Sequence, residues 1–128
     1  MQPSDDDIPG RNLAIAAETL FLANLMVAPG LAFLVLAWLR HRHANAPALA
    51  RCHLDQAFVA GLWSGALLLA ATGALLALGG LHWEWTWVFV IIYFTCIHAT
   101  LILAGIVALA KAQAGQTYRY PLVGPRND

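Results

Sequence analysis

The sequence predicts an all-α integral membrane protein with three transmembrane helices. Of its 128 residues, 60% are hydrophobic and only 11% are charged, whereas about a quarter of the residues in a soluble domain are charged. Three apolar runs, at about 13–39, 57–81 and 85–109, each reach the roughly 20 residues that a helix needs to cross a bilayer. Because lipid offers the backbone no hydrogen-bond partners, we expect these runs to be helical.

Composition divides the chain into a polar acidic segment at 1–12, a transmembrane domain at 13–111 and a tail at 112–128. Among the basic residues only Arg11 precedes the first apolar run. The others follow the first or the third run: Arg40, Arg42, Arg51, Lys111, Arg119 and Arg126. By the positive-inside rule, this asymmetry predicts a cytoplasmic first loop, a cytoplasmic C-terminal tail and an N-terminus on the outside.

Polar and helix-breaking residues interrupt the first apolar run. Pro29 and Gly30 stand near its middle and predict a kink, because proline removes one helical hydrogen bond. Glu18 stands near its start, where the predicted orientation places it at the outer interface and close to a helix N-terminus. If the helix lies deeper in the bilayer, Glu18 is instead a proton or cation site.

Tryptophans mark the predicted membrane interfaces. Trp83, Trp85 and Trp87 follow the outer turn, and Trp38 lies at the inner end of the first run. Since indole rings prefer the headgroup region, these residues are expected to be interface anchors.

His98 is the polar residue nearest the middle of the third run. An intramembrane histidine is either a functional residue or part of a hydrogen bond between helices. The functional alternative is haem ligation, although His53 and His82 lie too far from His98 in depth to act as a second ligand. The structural alternative is a hydrogen bond to Ser64, Thr72 or Asn24, and it favours a protein without a cofactor.

The sequence contains no pattern typical of an enzyme or a metal protein. His41, His43, Cys52 and His53 border the first loop, but their spacing matches no standard zinc site. We find no catalytic triad, paired carboxylates or phosphate loop, so no catalytic activity is predicted. The net charge of zero argues against a nucleic-acid partner.

Small residues recur at four-residue spacing in the second apolar run, at Ala57, Gly61 and Gly65. This pattern lets helices approach closely. It predicts a packing ridge, which contacts either another helix of the same chain or another membrane subunit, including a second copy.

Two stretches carry a family resemblance. One joins the mid-helix proline to the sequence HLDQA at 53–57, and the other is KAQAGQTYRYPL at 111–122. Together they resemble the DUF4870 family of small bacterial membrane proteins, which is distantly similar to the Tic20 component of chloroplast import. The matching positions are Pro29, His53, Gln56, Ala57, Gly115, Tyr118, Tyr120 and Pro121. Both motifs are expected to lie on the cytoplasmic face and to contact each other.

The resemblance implies a multi-pass protein of the bacterial inner membrane without catalytic activity. We therefore expect an accessory or assembly subunit of a larger membrane complex, with the lipid bilayer and other membrane subunits as its partners. Two alternatives are a haem-binding redox subunit that uses His98 and a Tic20-like channel or translocation component.

Overall fold

A computed structural model describes residues 8–121 and 124–125. These residues form four helices: α1 (Arg11–Met26), α2 (Leu31–Arg42), α3 (Ala48–Gly79) and α4 (Glu84–Gln113). A π-helical turn at Ala66–Ala70 interrupts α3. The predicted all-α class is confirmed. The acidic residues at 5–7 and Arg126 lie outside the described residues.

Helices α3 and α4 are long and apolar enough to cross a membrane. They contain 32 and 30 residues, which correspond to about 48 and 45 Å at 1.5 Å per residue. The second and third predicted spans therefore fall on real helices of sufficient length. They pack side by side, joined by a turn at 80–83 in which Gly80 has a φ of 78°.

The prediction of one continuous helix at residues 13–39 is wrong, because these residues form two helices. α1 and α2 contain 16 and 12 residues, about 24 and 18 Å, and neither crosses a core of about 30 Å alone. The chain reverses at Val27–Gly30, where Gly30 adopts a φ of 83° and donates its N–H to Asn24 Oδ1 at 2.8 Å. We name α1, this turn and α2 the hairpin.

The hairpin brings both ends of the described chain to the same end of the bundle. Arg11 Nε donates to the Gln113 carbonyl at 2.7 Å, which joins the start of α1 to the end of α4. Gly10 lies against Ala50 in the first turn of α3, and Gly115 lies against Ile8. The predicted separation of the N-terminus from the C-terminus is therefore not seen, because the reversal at the proline returns the chain to its starting end.

The core lies between the hairpin, the first half of α3 and the second half of α4. α1 packs against α3, α4 and α2. The buried cluster combines residues from all these helices and the tail: Ala17, Phe21, Leu25, Leu36, Leu54, Ala57, Ala60, Leu68, Leu101, Ala108 and Tyr120. Beyond the hairpin, α4 and the end of α3 expose large apolar side chains, as expected for a surface that faces lipid.

Candidate functional site

A buried polar cluster joins α1, α3 and the tail at the end of the bundle where both termini lie. Glu18, His53 and Tyr120 each have no exposed surface. His53 Nδ1 lies 2.7 Å from Glu18 Oε1, and the Tyr120 hydroxyl donates to Glu18 Oε2. His53 Nε2 lies 2.8 Å from the Gln116 carbonyl oxygen. We name Glu18, His53 and Tyr120 the buried triad.

The hydrogen bonds assign most of the protons in the buried triad. A carbonyl oxygen can only accept, so His53 Nε2 donates to Gln116. One proton then lies between His53 Nδ1 and Glu18 Oε1, which form either an ion pair or a neutral pair. In both states the two side chains satisfy each other, as buried polar groups require. Burial, together with the Glu18 carboxyl, raises the pKa of Tyr120, so its hydroxyl remains a donor.

Gln56 attaches the tail beside the buried triad. Its Oε1 accepts the backbone N–H of Tyr120 at 3.1 Å, and its Nε2 donates to the Pro125 carbonyl at 2.9 Å. Cys52 Sγ donates weakly to the Tyr118 carbonyl at 3.7 Å. The start of α3 therefore bonds to the backbone of the tail at several points, and the expected contact between the two sequence motifs is confirmed.

The remaining motif residues shape turns. Pro29 is exposed in the turn of the hairpin. Gly115 has a φ of 70° just after α4, where the Gln116 N–H bonds to the Lys111 carbonyl and caps the helix. Pro121 is exposed in the turn that follows Tyr120. These residues form turns that change the direction of the backbone, whereas His53, Gln56 and Tyr120 make the hydrogen bonds that attach the tail to the helices.

His98 closes the end of α1. Its Nε2 donates to the Leu25 carbonyl at 3.0 Å, and its ring meets Phe94 edge-on with centroids 5.5 Å apart. The last carbonyls of a helix have no partner within it, so this bond satisfies one of them at the turn of the hairpin. The imidazole thus bonds between helices, as the structural alternative required, but to a backbone carbonyl and not to Ser64, Thr72 or Asn24.

The predicted packing ridge faces two different surroundings. Ala57 and Gly61 are buried, and a Cβ placed on Gly61 would lie 3.0 Å from the Phe33 ring of α2. A Cβ on Gly65 would meet no atom within 4 Å. Gly61 therefore lies against the hairpin and Ala57 belongs to the buried core, whereas Gly65 borders a cavity beside the turn. Contact of the ridge with another subunit stays a prediction.

The histidines of the first loop do not assemble a metal site. His53 uses one ring nitrogen for Glu18 and the other for the Gln116 carbonyl, and His43 Nδ1 bonds to the Leu39 carbonyl at 3.0 Å. Within the described residues, no three His, Cys, Asp or Glu side chains are grouped to hold a metal ion.

Sequence reasoning missed Glu18 as the partner of His53 and Tyr120. The predicted orientation placed Glu18 on the opposite side of the membrane, so it had no candidate partner. A signal was nevertheless present, because a carboxylate inside an apolar run calls for a polar partner at the same depth. His53 and Tyr120 belonged to motifs already predicted to meet.

The chain belongs to the MamF/MmsF family, the magnetosome magnetite crystal formation protein family, whose family model matches residues 10–126. No curated protein and no solved structure matches the chain. The family match covers the hairpin, both long helices and most of the tail.

This membership corrects two predictions. The resemblance to the DUF4870 family is wrong, because the matching family model is a different one. The predicted function as an accessory or assembly subunit of an inner-membrane complex is also wrong, and the haem and Tic20-like alternatives are not retained. The broader prediction of a membrane protein is confirmed, with two apolar helices that can cross a bilayer.

Proposed function

We propose that this chain is a magnetosome membrane protein that takes part in magnetite crystal formation. The observation that carries the proposal is the family model, which covers residues 10–126 and so includes the buried triad and both long helices. The family description names the compartment and the process. The apolar lengths of α3 and α4 support a membrane location.

We further propose a membrane arrangement in which α3 and α4 cross the bilayer and the hairpin enters from one face. Every lysine and arginine that the structure describes lies at that face: Arg11, Arg40, Arg42, Arg51, Lys111 and Arg119. The positive-inside rule then favours a cytoplasmic position for this face. The turn at 80–83 and the tryptophans around it lie at the opposite face.

The role proposed here does not include catalysis. The members of the buried triad have no exposed surface and bond to one another or to backbone, so a substrate has no access to them. They support instead a structural role, in which the triad fixes the hairpin, α3 and the tail as one cytoplasmic unit.

Deletion of the gene in a magnetosome-forming host tests the crystal role. We expect crystals of altered size or shape in electron micrographs and recovery with the wild-type gene. A tagged copy should fractionate with purified magnetosome membranes. Unchanged crystal dimensions, or a tagged protein absent from the magnetosome fraction, would refute the proposal.

Cysteine labelling tests the membrane arrangement independently. In a chain with Cys52 and Cys96 replaced by serine, single cysteines are introduced at the exposed positions Asn12, His82 and Gln113. With the protein expressed in the inner membrane of a host that forms no magnetosomes, an impermeant maleimide applied to spheroplasts should label only the cysteine at position 82, and inverted vesicles should give the reverse pattern. Labelling of positions 12 and 113 from opposite sides would contradict the hairpin arrangement.

A further inference from the structure

A basic pocket lies where α2 ends and α3 begins. Its volume is about 300 Å³, and its polar lining includes Arg40, His41, His43, Arg51 and Asp55. With both histidines neutral, the two arginines and the one aspartate leave the lining with a net positive charge. The pocket is separate from the buried triad and lies at the proposed cytoplasmic face.

Arg40 is held in position by contacts that leave part of its guanidinium available. Its Nε donates to Asp55 Oδ1 at 2.7 Å, and its Cζ lies 4.7 Å from the centre of the Phe58 ring. An arginine carries five N–H donors in a fixed plane. The aspartate uses the Nε donor, so the terminal nitrogens can bind a further acceptor.

Two further basic side chains of the pocket, those of Arg51 and His41, are open to an incoming acceptor. Among the described residues, no hydrogen bond or ion pair engages the side chain of Arg51 or of His41. Arg51 lies in the first turn of α3, and no side chain caps that helix end. The free N–H groups and the helix dipole add positive potential there. The arrangement therefore favours an anion that accepts several hydrogen bonds.

An apolar stripe leads along α2 to this pocket. Leu31, Leu34, Val35 and Trp38 are exposed and follow the spacing of one helix face. The Arg42 guanidinium lies 5.7 Å from the centre of the Trp38 ring, at the basic end of the stripe. A molecule with a phosphate and hydrocarbon chains can contact both surfaces at once.

We propose that the pocket binds the phosphate of an anionic membrane lipid, whose acyl chains lie along the apolar stripe of α2. Arginine favours phosphate because its planar donors match two phosphate oxygens. Basic pockets beside membrane helices on the cytoplasmic side are a known setting for anionic headgroups. This inference does not depend on the role in crystal formation.

Lipid binding in a neutral detergent tests the proposal without the surface potential of an anionic bilayer. The purified full chain is titrated with phosphatidylglycerol or with phosphatidylcholine of the same acyl chains, and bound lipid is counted by native mass spectrometry. We expect one tightly held phosphatidylglycerol and weaker binding of phosphatidylcholine. Arg51→Gln should weaken phosphatidylglycerol binding about tenfold or more, since a hydrogen bond to a charged group is lost.

Arg119→Gln is the matched control. It removes the same charge from an exposed position at the same face but outside the pocket, and it should retain phosphatidylglycerol binding. Equal binding of the two lipids, or equal weakening by both substitutions, would overturn the proposal. Inorganic phosphate is the third probe: millimolar phosphate that binds as tightly as the lipid would assign the pocket to a soluble anion and overturn the lipid assignment.

Discussion

Removal of one hydroxyl group from the buried triad should release the tail. In Tyr120→Phe the ring remains, so its edge-on contact with Phe21, at 5.0 Å between centroids, is kept. The lost group is the donor to Glu18 Oε2. The substitution therefore isolates the hydrogen bond from the packing of the ring.

The cost follows from the burial of the acceptor. Glu18 has no exposed surface, so water does not replace the missing hydroxyl. A buried acceptor left without its partner costs about 1–3 kcal/mol, and more if it is charged. If the tail detaches without unfolding of the helices, a loss of stabilisation of this size raises the fraction of molecules with a detached tail by about fivefold to a hundredfold.

Limited trypsin digestion measures the detached fraction. Arg119 is exposed, but trypsin must also bind the next residue, Tyr120, to cleave between them. The backbone N–H of Tyr120 is bonded to Gln56, so the tail must detach first. Release of the fragment beginning at residue 120 should accelerate in Tyr120→Phe by the same fivefold to hundredfold factor, since cleavage of a transiently open state follows its population.

Tyr93→Phe provides the matched control for the digestion. It also removes one hydroxyl donor, from a 2.8 Å bond to the Leu67 carbonyl, but within the membrane helices and away from the tail. It should leave cleavage after Arg119 unchanged. Equal cleavage rates in wild type and Tyr120→Phe would refute the idea that the buried triad holds the tail.

Further predictions concern the packing ridge, the end of α4 and alkaline pH. Gly61→Leu should lower the thermal midpoint in detergent by overpacking against Phe33, a cost of about 1–3 kcal/mol. Gly65→Leu should change the thermal midpoint far less, because residue 65 faces open space. Equal effects of the two substitutions would contradict the packing argument. Gly115→Ala should cost about 1 kcal/mol or more, because φ is 70° there, and an unchanged midpoint would count against the assigned helix cap. Because burial and the adjacent carboxyl raise the pKa of Tyr120, its stabilisation is present below about pH 10, where the unfolded residue begins to ionise, and is lost as pH rises further. The alkaline loss should be smaller in Tyr120→Phe, and an identical pH profile would exclude this contribution.

The two long helices could be predicted because their sequences admit one structure. The runs at 57–81 and 85–109 contain no charged residue and are long enough to cross a bilayer. The contact between the motif at 53–57 and the tail could also be predicted, since both flank spans that end on the same face. In both cases the prediction needs only the apolar runs of the sequence and the thickness of a bilayer.

The hairpin could not be predicted from the same reasoning. A run of 27 residues, at 13–39, is long enough to span the bilayer once, and a proline at its middle is compatible with a kink or with a full turn. The choice depends on contacts distant in sequence: Asn24 closes the turn, and His98 of α4 satisfies the end of α1. Neither bond has a signature in the first run alone.

The error at the hairpin also explains the misplacement of Glu18. With a single first span, Arg11 and Glu18 lie on the outer side. Arg11 is then an exception to the positive-inside rule, and Glu18 lacks a polar partner. With the hairpin, Arg11 joins the basic face and bonds to Gln113, while Glu18 meets His53. The single reversal of the chain at the hairpin thus brings Arg11 into agreement with the positive-inside rule and also gives the buried Glu18 carboxyl a hydrogen-bond partner. A sequence specifies one structure when its charge distribution and its hydrogen bonding agree in this way. The agreement favours a hairpin that enters the membrane from the cytoplasmic face.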